Sequence, residues 1–473
     1  MSGDGTHVYL ATSNPLLPDD TNPFYDVYDL HDEALTLVTV QQEPLPRETE
    51  DGAYFVGAST DGSRVLFGSR DPFVASDVNG VFDAYERFEG TTRLLTTGPG
   101  RPDRTTSGYD PFAHSADGTR LIFGTSDPLV PEDAHPDSTD IYKRVGETTR
   151  LLSGWGGADE ASASIGFRSA SKDARTVVFQ TSQALVPQDT NGTSDLYAAI
   201  DCTLHLIAPP SGGYFGTFGY FVQAADDGTQ VAFSSAERVT ADDIDANIDA
   251  YVWSPDEGPE LMSIGTVGGN GNHHVATSAV SPDGTRAFFR TVEQLTPDDT
   301  DAVSDLYEFS GGRVSLVSSG PSATGFSGIS GDSEHLFFVT DDRLTPDDVD
   351  DGLDLYETVN GELRLISTGP TDPHDLQNAW YEASSYDGSR VFFAARGRMT
   401  ADDHNDKIDL YERFGTTTTL ISSGGPGRRN VPFDSLNLTV SPDGTRVYYQ
   451  TDEQVLPSDT DALRCGSAIL RVA

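Results

Sequence analysis

Short runs of alternating apolar and polar residues fill this chain, and turn residues break them every few positions. In the segment 379–422 the runs are Ala379–Ser384, Arg390–Ala394, Ile408–Arg413 and Thr417–Ser422, with Asp387-Gly388 between the first two. Alternation with period two places apolar side chains on one face of a β-strand. Asp-Gly between β-branched or aromatic runs marks a tight hairpin, because Gly accepts the positive φ such a turn needs. No segment keeps a helical period with caps, which excludes helical solenoids and the leucine-rich horseshoe. The pattern predicts an all-β chain.

The same unit recurs along the whole sequence. Ser281-Pro282-Asp283-Gly284-Thr285-Arg286-Ala287-Phe288-Phe289 returns as Ser441-Pro442-Asp443-Gly444-Thr445-Arg446-Val447-Tyr448-Tyr449 and as Ser385-Tyr386-Asp387-Gly388-Ser389-Arg390-Val391-Phe392-Phe393. Its marker aspartate falls at Asp4, Asp61, Asp117, Asp173, Asp227, Asp283, Asp332, Asp387 and Asp443. Nine repeats follow, near 2–58, 59–114, 115–170, 171–224, 225–280, 281–329, 330–384, 385–440 and 441–473. A fixed period of this kind decides the architecture before any other signal. Four-stranded units bury their faces only against their neighbours, so radial repetition into one β-propeller domain is expected. The first copy lacks its leading strand and the ninth its last, leaving 34 strand signals, and either an eight- or a nine-bladed ring accommodates them. The Ser-Pro-Asp-Gly-Thr-Arg strings resemble the WD40-like (PD40) repeat of TolB-like propellers over nearly the whole chain. That resemblance implies the propeller fold and a periplasmic setting. It does not imply a Tol-Pal role, since the separate N-terminal domain of that family has no counterpart here.

A second feature is an acidic loop between the second and third strands, whose first Asp lies 16 residues beyond the marker in all nine copies. Oxygen-bearing side chains recur at i, i+2 and i+6 in seven copies: Asp20/Asn22/Asp26, Asp77/Asn79/Asp83, Asp189/Asn191/Asp195, Asp243/Asp245/Asp249, Asp299/Asp301/Asp305, Asp348/Asp350/Asp354 and Asp403/Asn405/Asp409. The third copy carries an insertion (Asp133, His135, Asp140), and the ninth has Cys465 at the last position. Calcium takes roughly six to eight oxygen ligands, with carboxylates, amide oxygens and backbone carbonyls all serving. The segment Asp189–Asp195 resembles the later part of the Asp-x-Asp-x-Asp-Gly-x-x-Asp calcium loops of integrin-type propellers, with Pro187 where the leading ligand would stand. Asx-turns, in which Asp or Asn accepts a backbone N–H two residues on, explain the same spacing without a metal. Both readings stand at this level, calcium being the cofactor expected if one is bound.

Composition narrows the partner. The net charge is −45, from 75 acidic against 30 basic residues, and Lys143, Lys172 and Lys407 are the only lysines. Such a surface repels nucleic acid and anionic membranes and attracts cations or basic partners. No run reaches the ~18 apolar residues of a membrane span. Cys202 and Cys465 are too few for a disulfide framework. Met1–Gly5 opens directly inside the first repeat, so an export signal is expected upstream of it. No Gly-x-Ser-x-Gly, Walker loop, His-Glu-x-x-His or Cys-x-x-Cys occurs. His273-His274 reads as an ordinary loop pair, and Trp155, Trp253 and Trp380 occupy unlike repeat positions. The expectation is a monomeric, extracytoplasmic, non-enzymatic binding scaffold that meets a protein or polymeric partner on its acidic-loop face. The alternative is a propeller hydrolase or lyase acting on cell-envelope polysaccharide, which would need one sector that breaks the repeat pattern with reactive groups.

Overall fold

The structure is a computed structural model that describes residues 1–45, 52–99, 108–133, 138–154, 165–190, 192–201, 203–208, 221–318, 320–370, 378–404, 407–422, 438–451 and 466–471. Among these residues all regular structure is strand, and the 34 strands form nine antiparallel sheets. Seven sheets have four strands and the first and last have three, each in simple chain order. This is the blade architecture of a β-propeller, with the two short sheets where the repeat pattern is incomplete. In the eighth copy the strands are Ala379–Ser384, Arg390–Ala395, Asp409–Phe414 and Thr417–Leu420, within one or two residues of the expected bounds. Among the described residues no helix is long and apolar enough to cross a membrane.

The chain divides into two compact units, residues 1–246 with 251–261 and residues 247–250 with 262–473. In the first unit the core lies between successive sheets: Val27 of the first sheet packs with Val65, Phe67 and Tyr85 of the second. Leu66 and Ala84 of the second sheet pack in turn with Leu121, Phe123 and Tyr142 of the third. The second unit repeats the device, with Phe288 and Leu306 against Leu336, Phe338 and Tyr356. Each fully buried Leu or Phe contributes about 1.5–3 kcal/mol, so a sheet such as the second is held by both its neighbours.

Marker turns tie the sheets along a second line. The Asp61 carboxylate accepts from Ser59 Oγ at 2.6 Å and from the Ser63 N–H at 3.1 Å, closing the turn on Gly62 at φ +67°. Backbone bonds then run from turn to turn. In the first unit Asp4 N–H donates to Thr60 O (2.8 Å), Thr60 N–H to Ala116 O (2.6 Å), Ala116 N–H to Lys172 O (2.8 Å) and Lys172 N–H to Asp226 O (2.9 Å). In the second unit Asp332 N–H donates to Tyr386 O (3.0 Å) and Tyr386 N–H to Pro442 O (2.7 Å). Pro282 has no N–H to give, and there Asp283 N–H donates to Ser333 Oγ at 3.1 Å instead.

A bulge recurs where the first strand of a copy meets the second. The register slips between Phe55 and Gly57, Pro111 and Ala113, Phe167 and Ser169, Thr277 and Ala279, Phe326 and Gly328, and Tyr381 and Ala383. A bulge inserts one unpaired residue and sharpens the strand twist.

Candidate cation-binding loops

In the first eight copies the acidic loop leads to the third strand, and its last Asp is the first residue of that strand, as at Asp305–Ser310 and Asp354–Val359. The first Asp is buried and held by a tyrosine of the third strand. Tyr28 donates to Asp20, Tyr85 to Asp77, Tyr197 to Asp189, Tyr307 to Asp299, Tyr356 to Asp348 and Tyr411 to Asp403, while Tyr251 donates to Asp243 at 2.5 Å. In the third copy the insertion moves the donor one place, to Tyr142 on Asp133. Burial, with the facing carboxylate, pushes the Tyr28 hydroxyl up to about 12 and the Tyr307 and Tyr356 hydroxyls up as well. These tyrosines stay protonated and keep donating.

The last Asp anchors the strand start to the strand that follows. Asp26 accepts from Thr39 Oγ1 (2.6 Å), Asp140 from Ser153 (2.7 Å), Asp249 from Ser263 (2.7 Å), Asp354 from Ser367 (2.6 Å) and Asp409 from Ser422 (2.6 Å). Asp83 accepts likewise from Thr96, and Asp305 from Ser318 at 3.4 Å. In the fourth copy Ala208 stands at the hydroxyl position opposite Asp195.

The middle residue separates the loops into two kinds. Its N–H closes an Asx-turn on the first Asp, at 3.2 Å from Asn22 and Asp301, 3.3 Å from Asp350 and 3.4 Å from Asn79. Asn22 and Asn79, two of the expected oxygen ligands, engage their amides within the loop itself. Asn22 Oδ1 accepts the Phe24 N–H at 2.8 Å, and Asn79 Oδ1 accepts the Val81 N–H at 2.9 Å. The Asn22 NH₂ group also donates to Asp20 at 3.2 Å and to Asp26 at 2.8 Å, bridging both carboxylates. The Asn79 side chain hydrogen-bonds Asp83 in the same way and lowers its proton affinity. An amide that neutralises two carboxylates with N–H groups takes the place a cation would fill.

Asp301 and Asp350 put a third carboxylate where that amide would be. In Asp299/Asp301/Asp305 and in Asp348/Asp350/Asp354, one oxygen from each residue lies within 4.8 Å of the other two, so these clusters could hold a metal ion. Burial first, then the charges of Asp299 and Asp301, push Asp305 up to about 7. Asp354 is likewise raised to about 7, chiefly by burial, with the charges of Asp348 and Asp350 adding to it. Asp83, beside Asp77 in the second copy, also rises to about 7, chiefly by burial. Like charges crowded in a poorly solvated loop favour either a proton or a bound cation. In the fifth copy Asp243 and Asp245 belong to the first unit and Asp249 to the second. Asn191, Asn405, His135 and Cys465 lie outside the described residues, as do Trp155 and Cys202.

The turn-forming role is therefore general, and the carboxylate triad is special to copies with Asp in the middle. Sequence reasoning missed the tyrosine and hydroxyl partners. Their signal was present: Tyr stands eight residues beyond the first Asp in seven copies, and Ser or Thr follows the last Asp by thirteen in most. Away from the loops, His274 Nδ1 accepts the Ile248 N–H at 3.0 Å, the bond of an ordinary loop histidine. Trp253 is a core residue.

No family model matches the chain, and no curated protein does. Solved structures do. A prolyl endopeptidase from a study of two such enzymes aligns over 84% of this chain and 54% of its own, at 12% identity and TM-score 0.38. This chain thus spans about half the length of that enzyme. A TolB from Agrobacterium tumefaciens aligns over 63% of this chain and 91% of its own, at 17% identity and TM-score 0.30. An oligogalacturonate lyase, solved in complex with manganese, aligns over 87% and 95%, at 12% identity and TM-score 0.36. The expectation that the chain is not an enzyme does not stand, because an endopeptidase and a lyase are among its structural neighbours. The physical reason is that a propeller supplies a scaffold on which catalytic groups differ from case to case, so missing motifs exclude little. Nothing in so distant a likeness transfers an activity, and the fold rests on the sheets themselves. Their number, order and shared turn chemistry fit a β-propeller built of repeated blades.

Proposed function

We propose that this chain is an extracytoplasmic binding scaffold whose acidic loops hold calcium and whose loop-bearing surface meets a cationic or polymeric partner. The observation that carries the reading is the exchange of the bridging Asn22 amide for Asp301 and Asp350, which leaves three carboxylates facing one another. A hard divalent ion satisfied by oxygen alone suits that donor set, with backbone carbonyls and water completing the shell. Sites of two or three carboxylates are weak, and they fill where calcium is plentiful, outside the cytosol. The same reading takes the nine repeats as one domain, and limited proteolysis releasing two stable halves would overturn that part.

The deciding experiment replaces Asp299, Asp301 and Asp305 together by Ala and compares melting in calcium and in EDTA. A ligand confined to the folded state stabilises it by about 2.7 kcal/mol at a hundredfold excess over its dissociation constant. The variant is expected to lose most of the calcium-dependent gain of the parent. Equal losses in both buffers would make the loops turns and nothing more.

A further inference from the structure

A run of aromatic rings crosses the first two repeats inside the first unit. Tyr25 stacks near-parallel on Tyr54 (centroids 6.2 Å, planes 18° apart), Tyr54 meets Phe82 (6.2 Å, 46°), and Phe82 stacks on Tyr109 (5.4 Å, 16°). The inner end is core, for Tyr109 is buried, whereas Tyr25 and Tyr54 remain 44% and 42% exposed. Gly68 makes the run possible. A Cβ there would stand 2.5 Å from the Phe82 ring and 3.0 Å from the Tyr109 hydroxyl. Copies with Arg290, Val339 or Ala394 at this position have a side chain in that space. Burying a ring supplies stability, but two large rings left half in water at the end of a stack add little to the fold.

We propose that the Tyr25–Tyr54 face is a docking platform for lysine or arginine side chains of a basic polypeptide. The inference rests on reading the chain as a binding scaffold, and it does not depend on the calcium loops. An aromatic face attracts a cation through its quadrupole. Exposed Asp19 lies on the loop that delivers Tyr25 (13–25) and exposed Asp110 follows Tyr109, while Asp20, Asp71 and Asp77 of the loops 13–25 and 70–82 are buried and Arg70 is their single basic residue. Negative charge on the segments that carry the rings favours a cationic guest over a neutral sugar, which would need the rings alone. The long-range field of a −45 chain steers that guest to the surface, and the rings fix where it settles.

The test is calorimetric titration of the whole chain with octalysine, and separately with maltohexaose, at physiological salt. Tyr25→Ala and Tyr54→Ala are each expected to weaken octalysine binding about threefold, and the pair about tenfold, from the usual strength of an exposed cation–π contact. Tyr54→Phe should bind like the parent, because the ring face is kept. Tyr386→Ala, which removes an exposed tyrosine of the second unit, should do the same. Melting curves check that each variant is folded, and the loop variant Tyr25→Ala carries the test alone if Tyr54→Ala does not fold. Undiminished octalysine binding in the double variant would overturn the platform and leave attraction by charge. Binding of maltohexaose in place of octalysine, or of neither, would overturn it as well. The calcium response of Asp299/Asp301/Asp305 is measured without either probe, so the two readings fail separately.

Discussion

At the level of single residues, the hydroxyl of Tyr356 accepts the Leu344 N–H at 3.2 Å and donates to the buried Asp348 carboxylate. Tyr356→Phe keeps the ring and leaves Asp348 Oδ2 without its donor, while the Leu344 N–H keeps its bond to Asp342 O (2.9 Å) and Asp348 Oδ1 keeps that from the Asp350 N–H (3.3 Å). A buried polar group left without its bond costs about 1–3 kcal/mol, so urea denaturation of the variant should show a loss of that size. A loss under about half a kilocalorie would mean that water reaches Asp348 and the pin is dispensable. The marker aspartate makes a pH-dependent contribution. Hydrogen bonds from Ser59 and from the Ser63 side chain and N–H hold Asp61 down at about 2, below its ordinary 3.8. A carboxylate depressed on folding contributes stability that is present above about pH 4 and is lost as pH falls through about 2. Asp61→Asn should therefore be less stable than the parent near neutrality, and the gap should close by pH 2. A gap that stays constant across that range would show that the charge plays no part.

Between elements, the turn-to-turn backbone bonds give each sheet a fixed place beside the next. Thr60→Pro deletes both the N–H and the hydroxyl that reach Ala116 O, at 2.6 and 2.9 Å. It should cost about 0.5–1.5 kcal/mol, the net worth of a hydrogen bond whose acceptor water can still reach. Pro282→Thr, at a position where the chain already does without that bond, should be close to neutral. The comparison also shows what was legible in the sequence and what was not. Strands, sheet order and turn positions follow from period-two alternation and Asp-Gly spacing, because both depend on near neighbours in the chain. The bulges at Val56, Phe112 and Glu382 do not, since an extra residue in a pair is set by the twist of the partner strand. The most regular motif copies mislead in one respect: Pro282 and Pro442 look like the ideal repeat but lack the donor on which Thr60 and Lys172 rely. In the acidic loops the spacing of oxygens was legible. The partition into amide-bridged and all-carboxylate loops was not, since Asn and Asp look alike as oxygen donors until Asn22 and Asn79 are seen facing their neighbours with N–H groups.

For the whole chain the governing quantity is a net charge of −45. Buried ion pairs relieve little of it, because arginines such as Arg64 and Arg390 are engaged with Glu86 and Glu412. The remaining carboxylates repel, and two remedies act over different ranges. Dissolved salt screens all of them alike over a Debye length of about 10 Å at 0.1 M. An ion bound in an acidic loop instead removes the strongest local repulsion, between carboxylate oxygens within 4.8 Å of one another. Screening strengthens gradually with any salt, whereas site binding saturates and prefers a divalent ion. The melting temperature is therefore expected to rise steadily from low to molar sodium chloride, and millimolar calcium should achieve a comparable rise at negligible ionic strength. Asp301→Asn together with Asp350→Asn recreates the Asn22 arrangement in both all-carboxylate loops of the second unit. That variant should keep the sodium response while losing most of the calcium one. A parent protein that ignores millimolar calcium yet responds to sodium would reduce the loops to hydrogen-bonded turns on a uniformly acidic surface.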